Sequence, residues 1–314
     1  MPPSEERHVV FGTGPAGSTL AELLASQGKQ VRAVNRSGKA ALPSSVQVVA
    51  GDVLDPAAAR ELCRDASVVY HCANVHYAQQ VELMPRFAAN LIDGAGQAGA
   101  KLVVLDTLYV YGETHGVPMT AYTPMAATTR KGRMRAELVE AYLGAHRAGT
   151  VRVTLGRAAD FFGPRVLNSA LGDRVFPAAL GGKRIQLLGN IDLPHSYGYI
   201  GDVARGLAAL GERDDALGAA WLLPVAPAVT QREIAAMIGR QLGRPVRIQT
   251  IPKLAVRLFG LVDPFMREFV EMFYQYTEPQ IVDSRAFEST FGFRATPLDD
   301  ALEATIRWYR SRNV

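Results

Sequence analysis

The alternation of strand-like and helix-like segments over the first half of the chain constrains its fold most. His8 to Phe11 is a short apolar run that ends in glycines, and Ser18 to Gln27 then places Leu20, Leu23 and Leu24 on one helical face. Gln30 to Val34 and Val46 to Ala50 read as strands, Pro56 to Arg64 as a helix, and Ser67 to Ala73 as a strand rich in β-branched residues. Val81 to Ala98 reads as a helix, Lys101 to Asp106 as a buried strand, Arg133 to Arg147 as a helix and Val151 to Leu155 as a strand. Strands alternating with helices of this length predict a parallel sheet covered on both faces. Right-handed crossovers then give a doubly wound α/β sheet, with ligands at the carboxyl ends of its strands.

The pattern changes after Arg157. Residues 160–198 are rich in Gly, Pro and Asn, and from Pro224 onward the chain reads as mostly helical, ending in a helix from Leu298 to Arg312. This predicts a dinucleotide-binding domain over 1–160, to which 199–224 return, and a smaller substrate-binding part made of 161–198 and 225–314.

Gly12, Gly14 and Gly17 form a G-x-G-x-x-G run, with Pro15 and Ala16 inside it, between the first strand and the first helix. The first glycine permits a tight turn, the second lets main chain approach a pyrophosphate, and the third lets helix pack on strand. The helix N-terminus adds free N–H groups and a partial positive charge. The flanking strand and helix supply the context the motif needs for a Rossmann-type dinucleotide site. Where the second strand ends, an acid would hold the ribose 2′-hydroxyl of NAD; Asn35 and Arg36 stand there instead. Arg36 suits a 2′-phosphate, so NADP(H) is the expected cofactor and NAD the alternative.

Other classes find little support. The net charge of +4 is spread over mixed acids and bases, which predicts no nucleic-acid partner. Cys63 and Cys72 have no metal spacing, the six histidines are dispersed, and no G-x-S-x-G elbow occurs. No metal is expected. The segment Met1 to Arg7 is polar and lacks the apolar stretch of a signal peptide. The most apolar long stretch, Leu254 to Val270, is interrupted by Arg257, Asp263, Pro264 and Arg267, so no membrane span is expected. A cytoplasmic location follows as an expectation.

Further segments, taken in order, resemble the extended short-chain dehydrogenase/reductase group with its epimerases and dehydratases. Gly51-Asp52-Val53 resembles the family's adenine-contacting segment, and His71-Cys72-Ala73-Asn74 the strand end beside the cofactor ribose. Leu105-Asp106-Thr107-Leu108-Tyr109-Val110-Tyr111-Gly112 resembles its S-S-x-x-V-Y-G segment, which ends the fifth strand. Gly156-Arg157, followed by Ala159 and Phe162-Gly163-Pro164, resembles R-x-x-N-x-Y-G-P, and Tyr199 to Ala204 resembles Y-V-D-D-V-A. The resemblance implies a cofactor site of Gly12, Gly14, Pro15, Ala16, Gly17, Asn35, Arg36, Asp52, Val53, Cys72, Ala73, Asn74, Arg133 and Ala159. It also implies a homodimer through the two helices flanking the fifth strand.

The family's oxidoreductases use a Tyr-x-x-x-Lys pair after the fifth strand, with a Ser or Thr at the strand end. Thr107 fills the last place, but the tyrosine is missing. With Glu137 taken as the acid one turn beyond the lysine, Thr129 stands at the tyrosine position and Arg133 at the lysine position. With Lys131 as the lysine, Ala127 stands at the tyrosine position. A threonine hydroxyl is too weak an acid to replace a phenol, and an arginine does not exchange protons near neutrality. Three accounts stay open. A different acid serves, drawn from Tyr109, Tyr111, Tyr122, His195, Tyr197 and Lys131; or the reaction needs no tyrosine; or the protein binds dinucleotide as a regulator without turnover. The expected catalytic set is Thr107, Lys131, Arg133 and Tyr109.

On the substrate side, His76 and Tyr77 follow the fourth strand and are expected at the pocket floor, with Phe161, Phe162, Asn168 and His195 as walls. Phe265, Phe269, Phe273 and Tyr276 lie at helical spacing and read as a core, a dimer face or a pocket wall. As a wall they would favour an apolar or ring-bearing substrate over a nucleotide sugar. The expected function is that of an NADP(H)-binding oxidoreductase or epimerase-like enzyme acting on a small carbonyl or alcohol.

Overall fold

The computed structural model describes residues 6–312; the first five residues of the N-terminal segment read for targeting lie outside the described residues. The chain divides into two compact units. The first comprises Met1–Thr107, Lys131–Arg157 and Val203–Trp221, and the second Leu108–Arg130, Ala158–Asp202 and Leu222–Val314.

The first unit is built on β1 (Arg7–Phe11), α1 (Pro15–Ser26), β2 (Gln30–Asn35), β3 (Val46–Ala50), α2 (Pro56–Cys63), β4 (Val68–His71), α3 (Gln80–Gln97), β5 (Lys101–Thr107), α4 (Arg130–Arg147) and β6 (Arg152–Ala158). With the edge strand Ala220–Leu222 these give a seven-stranded sheet in the order edge strand, β6, β5, β4, β1, β2, β3. β1 pairs in parallel with both β2 and β4, so the strand order reverses beside β1. That is the switch point at which doubly wound sheets open a crevice at their carboxyl ends.

Local sequence explains the elements. Val9, Val10 and Phe11 are fully buried, as a central parallel strand requires. Proline opens α1 and α2, where its missing N–H has no helical partner to lose. Asp55 caps α2 by accepting from the Ala57 and Ala58 N–H groups. α1 begins at Pro15 rather than Ser18 because its first turn lies inside the glycine run, and α4 at Arg130 rather than Arg133 because its first turn is polar.

The second unit is smaller in its strands and richer in helices. Asp160–Phe162 pairs in parallel with Tyr197–Tyr199, and Ile185–Leu188 with Ile248–Ile251. Its core gathers Phe162, Phe176, Ile185, Ile234, Ile238, Leu302, Ile306 and Tyr309. The helix Gln231–Leu242 starts at a capping box in which Thr230 and Glu233 satisfy each other's main chain. The predicted final helix, Leu298–Arg312, has those bounds.

Candidate functional site

The glycine run forms the turn between β1 and α1. Gly12 has φ of +98°, and a β-carbon there would lie 2.6 Å from the Ala73 main chain. A β-carbon at Gly17 would sit 1.9 Å from the Gly12 carbonyl oxygen. Gly14 differs: nothing lies within 4 Å of its added β-carbon, and it is exposed at the N-cap of α1 with no side-chain cap. The outer glycines therefore serve internal packing, while the middle one faces open space at uncapped N–H groups. This cradle fits the pyrophosphate of a dinucleotide. Ala16 and Gly17 are buried in the first turn, with Pro15 part-buried.

Asn35 ends β2 and is held from both sides. Its amide nitrogen donates to Thr13 Oγ1 at 2.7 Å and to the Lys39 carbonyl at 2.9 Å, and its oxygen accepts from Gly38 N at 2.7 Å. Asn35 thus ties the second strand to the glycine turn. Arg36 and Lys39 are exposed beside it. Asp52 is exposed and accepts from the Leu54 N–H at 2.9 Å, while Val53 is buried.

At the end of β4, His71 Nδ1 lies 2.8 Å from the Tyr142 hydroxyl. Burial, reinforced by the Arg135 charge, pushes the imidazole down to about 3. Burial also pushes the Cys72 thiol up to about 12, so it is no ready nucleophile. Asn74 Oδ1 accepts from Val75 N at 2.9 Å and from Gln80 Nε2 at 3.0 Å, which fixes the path of the segment that carries exposed His76 and part-buried Tyr77.

Thr107 closes β5, and among the described residues its buried hydroxyl oxygen has no hydrogen-bond partner. One residue earlier, Asp106 accepts from Arg157 Nε at 2.7 Å in a buried ion pair joining β5 to β6. Lys131 lies in the first turn of α4 and is fully buried, with its ammonium 4.4 Å from the centroid of the Tyr77 ring. Arg133 is exposed. The inward face of this helix thus carries Lys131 and Arg135, not Arg133 and Glu137. Tyr77 was expected at a pocket floor; its place beneath Lys131 has no local sequence signal, because the two residues lie on distant segments.

The second unit holds the remaining candidates. Ala159 and Phe162 are buried, Tyr109 and Phe161 are part-buried, and Asn168 is exposed. His195 is buried, with Nε2 3.2 Å from Asp160 Oδ2, and stacks between the Tyr197 and Tyr276 rings. Burial pushes the Asp160 carboxyl up, but hydrogen bonds from His195 and Tyr276 outweigh it and hold the group below its usual value. Tyr197 is raised well above an ordinary phenol, by burial and then by the Asp160 charge. Tyr111 is buried and donates to the Thr120 carbonyl at 3.2 Å, and Tyr122 is 93% exposed. Phe269, Phe273 and Tyr276 pack on one another and on Leu188 and Val256 as a small core. This packing fits the reading of the run as a core, although Tyr276 also stacks on His195. Among the described residues, no helix is long and apolar enough to cross a membrane, and no cluster of His, Cys, Asp or Glu is arranged to hold a metal.

The model of the NAD dependent epimerase/dehydratase family matches residues 9–221. No curated protein matches the chain in sequence. Among solved structures, an epimerase from the methanogen Methanothermobacter thermautotrophicus superposes with a TM-score of 0.81 at 17% identity, over 98% of this chain and 93% of that one. The UDP-glucuronic acid 4-epimerase of Bacillus cereus, in complex with NAD, gives 0.80 at 17% identity over 98% and 100% of the two chains. The dTDP-glucose 4,6-dehydratase of Streptomyces venezuelae, with NAD bound, gives 0.79 at 19% identity over 98% of each. At such identities the likeness is one of fold.

Proposed function

This chain is an enzyme of the NAD dependent epimerase/dehydratase family, and on that premise we propose that it exchanges a hydride at an alcohol or carbonyl carbon of a sugar nucleotide. The observation that carries the proposal is the open face of Gly14 at the uncapped start of α1, framed by two glycines that tolerate no side chain. A dinucleotide's pyrophosphate seats there, on main-chain N–H groups. The cofactor supplies a nicotinamide that accepts and returns the hydride. The chain's own residues do the rest. Thr107 offers a buried hydroxyl, unmatched among the described residues, to the oxygen of the reacting carbon. Ala73 and Asn74, at the end of β4, border the cofactor ribose. Phe161, Asn168 and His195 are the substrate contacts offered by the second unit, whose core holds Phe162 instead.

NADP(H) is the favoured form. Asn35 carries no charge to repel a 2′-phosphate, and Arg36 stands exposed next to it. The sugar-nucleotide class follows the enzymes of like fold, which act on UDP-glucuronic acid and dTDP-glucose. The test is a panel of UDP- and dTDP-sugars incubated with the protein and either nicotinamide dinucleotide. Conversion of at least one sugar, traced by chromatography and by reduced-nicotinamide absorbance, is expected. Tight dinucleotide binding with no conversion across the panel would favour a regulator that binds without turnover.

A further inference from the structure

The site as described has a place for cofactor and a hydroxyl for the substrate oxygen, but nothing yet assigned to move a proton. Three features of the first unit bear on this. Lys131 is fully buried, where an ammonium is kept only against groups that compensate its charge. That ammonium stands over the ring of Tyr77 at 4.4 Å from its centroid. The Tyr77 segment leaves β4 and Thr107 ends β5, two strands paired side by side in the sheet. The turn carrying Tyr77 is pinned by Asn74 and by the Gln79 N–H bond to the His76 carbonyl at 2.8 Å. The phenol is thus placed by the fold and not left on a loose loop.

We infer that Tyr77 is the acid–base group of this enzyme and that Lys131 is its positioning partner. The inference rests on the hydride-transfer reading above. A positive charge over an aromatic face attracts the ring more strongly once the phenol has lost its proton, so the ammonium works against the burial that keeps the Tyr77 hydroxyl neutral. In the oxidative direction Tyr77 Oη would take the hydroxyl proton of the substrate carbinol, while a bound nicotinamide would supply the acceptor for its C–H hydride, leaving a carbonyl, a neutral phenol and a reduced nicotinamide. In the reverse direction the phenol returns the proton to the carbonyl oxygen as hydride adds to carbon. The absent tyrosine at Ala127, four residues before Lys131, is then replaced by a phenol from another segment, brought to the same lysine.

The test uses the wild-type protein and the Tyr77→Phe and Tyr77→Leu variants. Dinucleotide binding is measured first, by calorimetry, and is expected in wild type and Tyr77→Phe alike. Loss of binding in wild type defeats the hydride-transfer reading itself. Nuclear magnetic resonance of the cofactor-free protein gives a readout apart from activity: the Lys131 side-chain methylenes should show an upfield ring-current shift, kept in Tyr77→Phe and lost in Tyr77→Leu. Unshifted methylenes in wild type overturn the pairing. Rapid-mixing reduction of bound cofactor by a turned-over sugar nucleotide should fall by about 10²- to 10⁴-fold in Tyr77→Phe, with KM little changed. A Tyr77→Phe enzyme that binds dinucleotide and reduces it at the wild-type rate overturns the assignment.

Discussion

A β-carbon on Gly17 would fall 1.9 Å from the carbonyl oxygen of Gly12, whereas one on Gly14 meets nothing within 4 Å. The two positions carry the same residue for opposite reasons, and substitution separates them. Gly17→Ala must push main chain aside and should destabilise the protein by about 1–3 kcal/mol or more. Gly14→Ala should cost no more than about 1 kcal/mol, as an N-cap change does, while intruding on the proposed phosphate site. Thermal unfolding paired with dinucleotide titration checks both. A stable Gly14→Ala protein that binds as tightly as wild type contradicts the placement of the pyrophosphate.

The buried Asp106–Arg157 pair joins the ends of β5 and β6. Removing one partner leaves an uncompensated charge, so Asp106→Asn should lose about 3–5 kcal/mol. A double replacement by apolar residues, Asp106→Leu with Arg157→Met, should recover much of that. Urea unfolding of the two variants measures the difference. A single variant as stable as wild type would show that the pair contributes nothing.

Acid should weaken this protein before its carboxylates titrate. Burial lowers the His71 imidazole to about 3 and that of His8 to about 4, from 6.5 in an unfolded chain. Between those values the unfolded chain binds protons that the folded one refuses. Their contribution is therefore complete above 6.5 and is lost as the pH falls through the interval, by about 1.4 kcal/mol per pH unit for each histidine. In His71→Gln, the decline in unfolding midpoint between about pH 7 and pH 5 should be shallower than in wild type. Parallel declines would remove His71 from the account.

Arg36 should decide the cofactor. Loss of a charge-assisted bond to a 2′-phosphate is worth about 1.5–3 kcal/mol, or roughly tenfold to a hundredfold in affinity. Arg36→Ala is expected to weaken NADP(H) by that factor and leave NAD(H) nearly unchanged. Equal weakening of both would mean that Arg36 does not read the 2′ position.

Much of the first unit is legible in the sequence because its signals are local. Apolar strands, the glycine run and the helix after it lie within one stretch of chain, and the periodicities of 2 and 3.6 report them directly. The register of α4 is harder. Glu137 was a plausible anchor for an acid one turn beyond the lysine, and it points to Arg133. The apolar stripe Met134, Leu138, Val139 and Tyr142 does mark the inward face, and one turn earlier that face carries Lys131 and Arg135; anchoring on a single acid bypasses that signal. The Lys131–Tyr77 and Asp106–Arg157 contacts are set by tertiary packing between distant segments, which no spacing rule reads. The aromatic run through Phe273 had the period of a helix, and that period could not distinguish a core from a pocket.

The central claim is that a nicotinamide dinucleotide lies on the main chain at the start of α1. Calorimetric titration of wild type and Gly14→Val with NADP(H) and NAD(H) tests it most directly. The account predicts saturable binding to wild type, tighter for NADP(H), and its loss in a Gly14→Val protein that remains folded. Binding that is absent from wild type, or undiminished in the folded variant, would contradict it.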